Sequence, residues 1–136
     1  LTRALKILII SVLIFKSVNS QTKESVYSFI KHCGIKHPKI VMKQVLLETG
    51  HLKSYLCKHQ YNLFGMQFTN GRETLAIGSG KNNVYAVYKS WKDSVRDYAI
   101  WQNLYYDGIQ DYYEFLKCSG YSTKKTYIKT LKQIIL

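Results

Sequence analysis

Glu48 is the residue whose placement could do chemistry most directly. Val41, Val45 and Glu48 fall at i, i+4 and i+7, so a carboxylate interrupts an otherwise apolar helical stripe. The helix is expected to start at His37-Pro38, with Pro38 at its first position, and to stop at Gly50, which places Glu48 in the last turn. Partial burial and the partial negative charge of a helix C-terminus both disfavour ionisation, so both raise the pKa. A carboxyl kept protonated near neutral pH can act as a general acid. On spacing alone, a helix-end glutamate paired with a nearby lysine such as Lys53 fits equally well.

The elements that must hold such a residue are mostly helical. Val26, Phe29, Ile30 and Cys33 repeat at helical spacing over about Lys23 to His32, and Gly34 ends that segment. Residues 51–61, rich in His, Lys and Tyr, read as a loop. Two β-prone runs follow, Thr74 to Ile77 and Val84 to Tyr88, around Gly- and Asn-rich connections, which predicts a small hairpin lobe. Ser90, with Asp93 three residues on, caps a long helix whose stripe is Trp91, Val95, Tyr98, Gln102 and Tyr105. Asp107-Gly108 turns the chain, Asp111 and Glu114 open a short helix, and the last helix aligns Tyr127, Ile128, Leu131, Ile134 and Ile135. The expected fold class is α+β: one mainly helical domain with a small β-hairpin lobe.

The 136 residues allow one well-cored domain, and 46% hydrophobic with 21% charged residues excludes a disordered chain. The net charge of +12 calls for an anionic partner such as nucleic acid, a membrane surface or a wall polymer. Arg3 and Lys6, the apolar run Ile7 to Phe15 and the compact Val18-Asn19-Ser20 read as a secretory signal peptide over residues 1–20, leaving a domain at 21–136. The apolar run is shorter than the roughly 20 residues a membrane span takes, so no stable anchor is expected after cleavage. Export makes nucleic acid an unexpected partner, and no basic cluster with interleaved stacking aromatics supports one. Cys33, Cys57 and Cys118 leave one thiol over whatever the pairing. Cys57-x-His59 fits no common zinc spacing, so neither a metal nor a cofactor is expected.

Several stretches resemble, in order, the glucosaminidase domain of glycoside hydrolase family 73. Gln44 to Gly50 resembles its Gln-rich helix ending in Glu-Ser/Thr-Gly, and Asn62-Leu63-Phe64-Gly65-Met66 its Asn-Leu-Phe-Gly-Ile/Met. Tyr85 to Ser90, Asp93 to Ala99, and Gly120-Tyr121-Ser122-Thr123 with Tyr127 are similar to three further family stretches. Ser122 to Lys125 lacks the family's Asp-Pro. The resemblance implies a lysozyme-like fold and cleavage of peptidoglycan glycan strands at the β-1,4 bond after N-acetylglucosamine, by an exported monomer.

By position, the resemblance makes Glu48 the general acid and places Tyr121 near the sugar at the cut site. It sets Asn62 and Phe64 along the cleft, where each also reads as ordinary packing. Tyr88 matches as well, as a substrate-binding position that reads chiefly as hairpin-to-helix packing. The second carboxylate is open. Inversion needs a base roughly 6.5–9.5 Å from the acid, retention a nucleophile at about 5–5.5 Å, and a substrate acetamido group can replace it altogether. Glu73 is the one acid of the β lobe and the candidate, with a solvated turn charge as the plain alternative. A weakly catalytic peptidoglycan-binding domain and an endoglycosidase acting on glycoprotein N-glycans are the competing functions.

Overall fold

A computed structural model describes residues 20–136 of the chain. The expected signal peptide therefore lies outside the described residues, apart from Ser20. Helix α1 spans Lys23–His32, with Thr22 and Ser25 forming a reciprocal capping box at its start. Helix α2 spans Pro38–Thr49, with Pro38 leading it and Gly50 closing it at φ +54°. That left-handed turn is one glycine adopts without a Cβ penalty. Helix α3 spans Tyr55–Gln60. Strands β1 (Gly78–Ser79) and β2 (Ala86–Val87) pair antiparallel, Gly78 opposite Val87 and Ser79 opposite Ala86. Helices α4 (Trp91–Tyr105), α5 (Tyr112–Cys118) and α6 (Tyr127–Gln133) complete the chain.

Helix α1 packs on α2 and α4, α2 on α6, and α5 on α6. One apolar cluster joins them, from Val26 and Ile30 through Val41 and Val45 to Val95, Leu116 and Leu131. Among the described residues, no helix is long and apolar enough to cross a membrane. All three cysteines are free thiols.

The structure differs from expectation in four places. Residues 51–61 contain α3, because the Ser54 hydroxyl accepts from the Cys57 N–H at 3.2 Å and starts a helix too short to show a period. The run Thr74 to Ile77 is not a strand. Leu75 N–H donates to Asp97 Oδ1 at 2.9 Å and Ala76 N–H to Thr74 Oγ1 at 3.1 Å, so side chains take the donors a strand partner would use. Pairing begins instead at Ile77 N–H to Val87 O, and an isolated bridge between Gln67 and Tyr85 extends the lobe. Ile135 is 88% exposed because α6 stops at Gln133 and the chain extends at Ile134. Tyr105, at the end of the α4 stripe, is 54% exposed.

A buried ion pair ties the lobe to α4. Arg72 meets Asp97 through two parallel contacts at 2.8 and 3.0 Å, with side chains 5% and 0% exposed. The Tyr88 hydroxyl donates to the same carboxylate at 2.7 Å. Burial alone pushes the Asp97 carboxyl up, but donation from Arg72, Tyr88, Leu75 N–H and Thr74 outweighs it and holds the group below the usual carboxylate range.

Candidate active site

Glu48 sits where α2 ends. Thr49 locks that turn, its hydroxyl donating to Val45 O at 2.6 Å and accepting from Leu52 N–H at 2.8 Å. The carboxyl lines a groove of about 540 Å³, together with Gly65, Gln67, Tyr85, Tyr121, Lys124 and Tyr127. Burial raises its pKa, and this outweighs the opposing pull of the neighbouring Tyr127 hydroxyl and of the Lys124 charge. Among the described residues Glu48 has no ion pair within 4.0 Å, so the alternative of a helix-end pair with Lys53 is not what the structure shows. A larger apolar groove of about 860 Å³ beside Ile40 and Tyr113 holds only the exposed carboxylate Glu24, so size does not select the site.

The loop facing Glu48 is held by Asn62. Its amide oxygen accepts from Phe64 N–H and Met66 N–H, and its nitrogen donates to Met66 O at 2.9 Å and Ala86 O at 3.0 Å. Asn62 is 1% exposed and does not line the groove, so its expected place along the cleft is replaced by a structural one: all its polar capacity goes to backbone. Phe64 borders the groove, but it is 1% exposed and its ring packs tilted against Tyr98, with centroids 4.3 Å apart. Tyr88 is likewise buried on Asp97 and does not line the groove, which leaves it the packing role.

Tyr121 lines the groove and donates its hydroxyl to Phe64 O at 2.6 Å, linking the segment before α6 to the loop. Glu73 is exposed and does not line the groove. The structure thus brings together Glu48, Phe64 and Tyr121, and not Glu73, Asn62 or Tyr88.

Gly65 is the loop's point of closest approach. It has φ +62°, and a Cβ there would stand 3.0 Å from Glu48 Oε2. Gly65→Ala is expected to lose about 1–2 kcal/mol of stability from the left-handed backbone and to cut turnover about tenfold or more by displacing the carboxyl. Thermal unfolding and turnover measured together check this; wild-type turnover in a folded Gly65→Ala would contradict it.

Three participants are not singled out as site residues by the sequence: Lys124, and Gly65 and Tyr127, which lie in stretches that resemble the family. Gln44, four residues before Glu48 on the same stripe and 0% exposed, was the polar interruption that could have pointed to a buried network behind the acid.

A helical domain with a small β lobe and a pKa-raised carboxyl in an open groove has the build of a lysozyme-like glycoside hydrolase. Residues 23–136 match the glucosaminidase family, described as mannosyl-glycoprotein endo-beta-N-acetylglucosaminidase, and the chain belongs to that family. It is a glycoside hydrolase. The fold is similar to that of the catalytic domain of the autolysin Auto from Listeria monocytogenes, with a TM-score of 0.56 and 24% identity over 81% of this chain and 78% of that one. It is similar also to a peptidoglycan hydrolase from Sphingomonas sp. A1, with a TM-score of 0.56 and 19% identity over 78% of this chain and 80% of that one. No curated protein matches the chain in sequence.

Proposed function

We propose that this chain is an exported peptidoglycan hydrolase, an endo-β-N-acetylglucosaminidase that cleaves the β-1,4 bond after N-acetylglucosamine with Glu48 as general acid. The observation that carries the reading is the Glu48 carboxyl, set on a rigid helix end inside a groove and biased toward its protonated form. The similarity in fold to an autolysin catalytic domain and to a peptidoglycan hydrolase supports this reading. Without Arg3, Lys6 and Lys16 of the leader the net charge falls from +12 to +9, which still suits an anionic wall polymer. Residues 1–20 would direct export, and 21–136 would act as a single domain and a monomer, with Tyr121 bordering the sugar at the cut.

The eight acidic residues of the chain bear on the second catalytic group. Asp97 is bound to Arg72, Asp93 to Arg96 and Glu114 to Lys117. Asp107 holds a turn, Asp111 caps α5 and Glu24 lies in the first turn of α1. Glu73 is exposed on the lobe, so Glu48 is the one carboxyl lining the groove. This favours the route in which the acetamido oxygen of the bound N-acetylglucosamine attacks its own anomeric carbon. As the glycosidic C–O bond breaks, the leaving oxygen takes the Glu48 proton. Water then opens the cyclic intermediate and returns a proton to Glu48.

The test is to digest purified peptidoglycan and identify the new reducing ends. N-acetylglucosamine ends support the proposal; N-acetylmuramic acid ends, or no product, would overturn it. A parallel digestion of an N-glycosylated protein covers the activity in the family's description, and release of glycan there without wall cleavage would favour that second reading. Glu73→Gln should leave turnover within about twofold, and its loss would reject acetamido assistance.

A further inference from the structure

Behind Glu48 runs a chain of buried hydrogen bonds whose sense is set at its far end. The Lys36 backbone N–H can only donate, and it donates to Gln102 Oε1 at 2.7 Å. This fixes the Gln102 amide, whose nitrogen donates to Lys36 O at 3.0 Å and to the Tyr112 hydroxyl at 2.7 Å. The Tyr112 oxygen is then an acceptor, and its proton goes to the Tyr98 oxygen, 2.6 Å away. Tyr98 spends its own proton on Gln44 Oε1 at 2.6 Å. Gln44 is thereby held with its nitrogen toward Tyr127, to whose hydroxyl oxygen it donates at 3.3 Å. One proton remains, that of Tyr127, whose side chain lines the same groove as the Glu48 carboxyl and exerts a lowering pull on it. Gln44, Tyr98, Tyr112 and Gln102 are each at most 1% exposed and Tyr127 is 7% exposed, so water offers no alternative partner along most of the chain.

We propose that this one-way relay makes Tyr127 a positioning residue that holds its phenol proton on the Glu48 carboxyl and stabilises the carboxylate formed as Glu48 protonates the leaving group, with Tyr98 setting the direction through Gln44. The proposal rests on the reading of Glu48 as the acid. Donation to a carboxylate favours its charged form, in keeping with the lowering influence of Tyr127 on Glu48. The other titratable groups lining the groove with Glu48 are Tyr121 and Lys124 from the segment before α6, and Tyr85 from the lobe. Tyr121 is committed to Phe64 O, and the substitutions below alter none of the three.

The experiment is a pH profile of peptidoglycan turnover for wild type, Tyr127→Phe, Tyr98→Phe and Glu48→Gln, with thermal unfolding of each. Tyr127→Phe is expected to lower kcat about ten- to a hundredfold with KM little changed, and to move the basic limb of the profile to higher pH, because the active, protonated acid then ionises later. Tyr98→Phe frees the Gln44 amide to turn its oxygen toward Tyr127 and draw that proton away, so the same limb should move in the same direction by less. An unmoved limb in folded Tyr127→Phe overturns the proposal. A limb that moves in Tyr127→Phe but not in folded Tyr98→Phe overturns the relay. Should Tyr98→Phe fail to fold, Gln44→Met serves instead: it offers the Tyr127 proton no acceptor in place of Glu48, so a limb that stays near its wild-type position supports the relay and one displaced as far as in Tyr127→Phe overturns it. Retained activity in Glu48→Gln would instead reject the acid itself, whereas an inactive Glu48→Gln beside an unmoved Tyr127→Phe limb rejects only the proposal made here.

Discussion

Glu48→Gln is expected to lower peptidoglycan turnover by about 10²–10⁴-fold, the usual contribution of a positioned general acid. An amide occupies the same space but has no proton to hand to the departing oxygen. Binding to intact wall should persist, because the groove is otherwise unchanged. Stability gives a second reading of the same side chain. The folded state raises the Glu48 pKa, so ionising it costs more in the fold than in the unfolded chain. Its stabilising contribution is full below the unfolded value of about 4.3 and is lost as pH rises through the higher folded value. Glu48→Gln removes that loss, so its melting temperature relative to wild type should rise with pH across this window. An inactive variant without this rise would leave the buried carboxyl unexplained; an active one would remove it from catalysis.

Asp97→Ala should be the most destabilising single change in the lobe. It leaves the Arg72 guanidinium, 5% exposed, without its carboxylate, and strips the Tyr88 hydroxyl and Leu75 N–H of their acceptor. Breaking a buried pair in this way costs about 3–5 kcal/mol, or on the order of 10–20 °C in melting temperature for a domain of this size. The pH dependence has the opposite sign to that of Glu48. The folded Asp97 pKa is depressed, so its contribution is present above the unfolded value of about 3.9 and is lost as pH falls through the lower folded value. The gap in melting temperature between wild type and Asp97→Ala should therefore close in that acid range. A gap that is small at neutral pH, or that persists into strong acid, would mean the pair does not hold the lobe.

Much of the helical frame was legible because it is written in local chemistry. Pro38 and Gly50 bracket α2, Ser90 caps α4 and Asp111 caps α5, each through groups within a few residues of one another. The same locality made Glu48 visible, since burial and a helix end both act within its own element. The β lobe was misread where long-range partners take over: Asp97, 22 residues from Leu75, claims the donor that a strand would have used. Helix α3 was missed because six residues give no period. Asn62 and Tyr88 sit in stretches that resemble the family, yet each spends its polar atoms inside the protein. The relay behind Glu48 was illegible for the same reason. Tyr98 lies 54 residues from Gln44 and 14 from Tyr112 in sequence, and the three meet only in the folded core.

The most direct test of the central claim is the titration of the Glu48 carboxyl itself, followed by carbon-13 NMR with Glu48→Gln used to assign the resonance. The structure predicts a midpoint above that of an ordinary solvated glutamate. A midpoint at or below the ordinary value would mean that the carboxyl carries its charge at neutral pH, and Glu48 would not be the acid of this hydrolase.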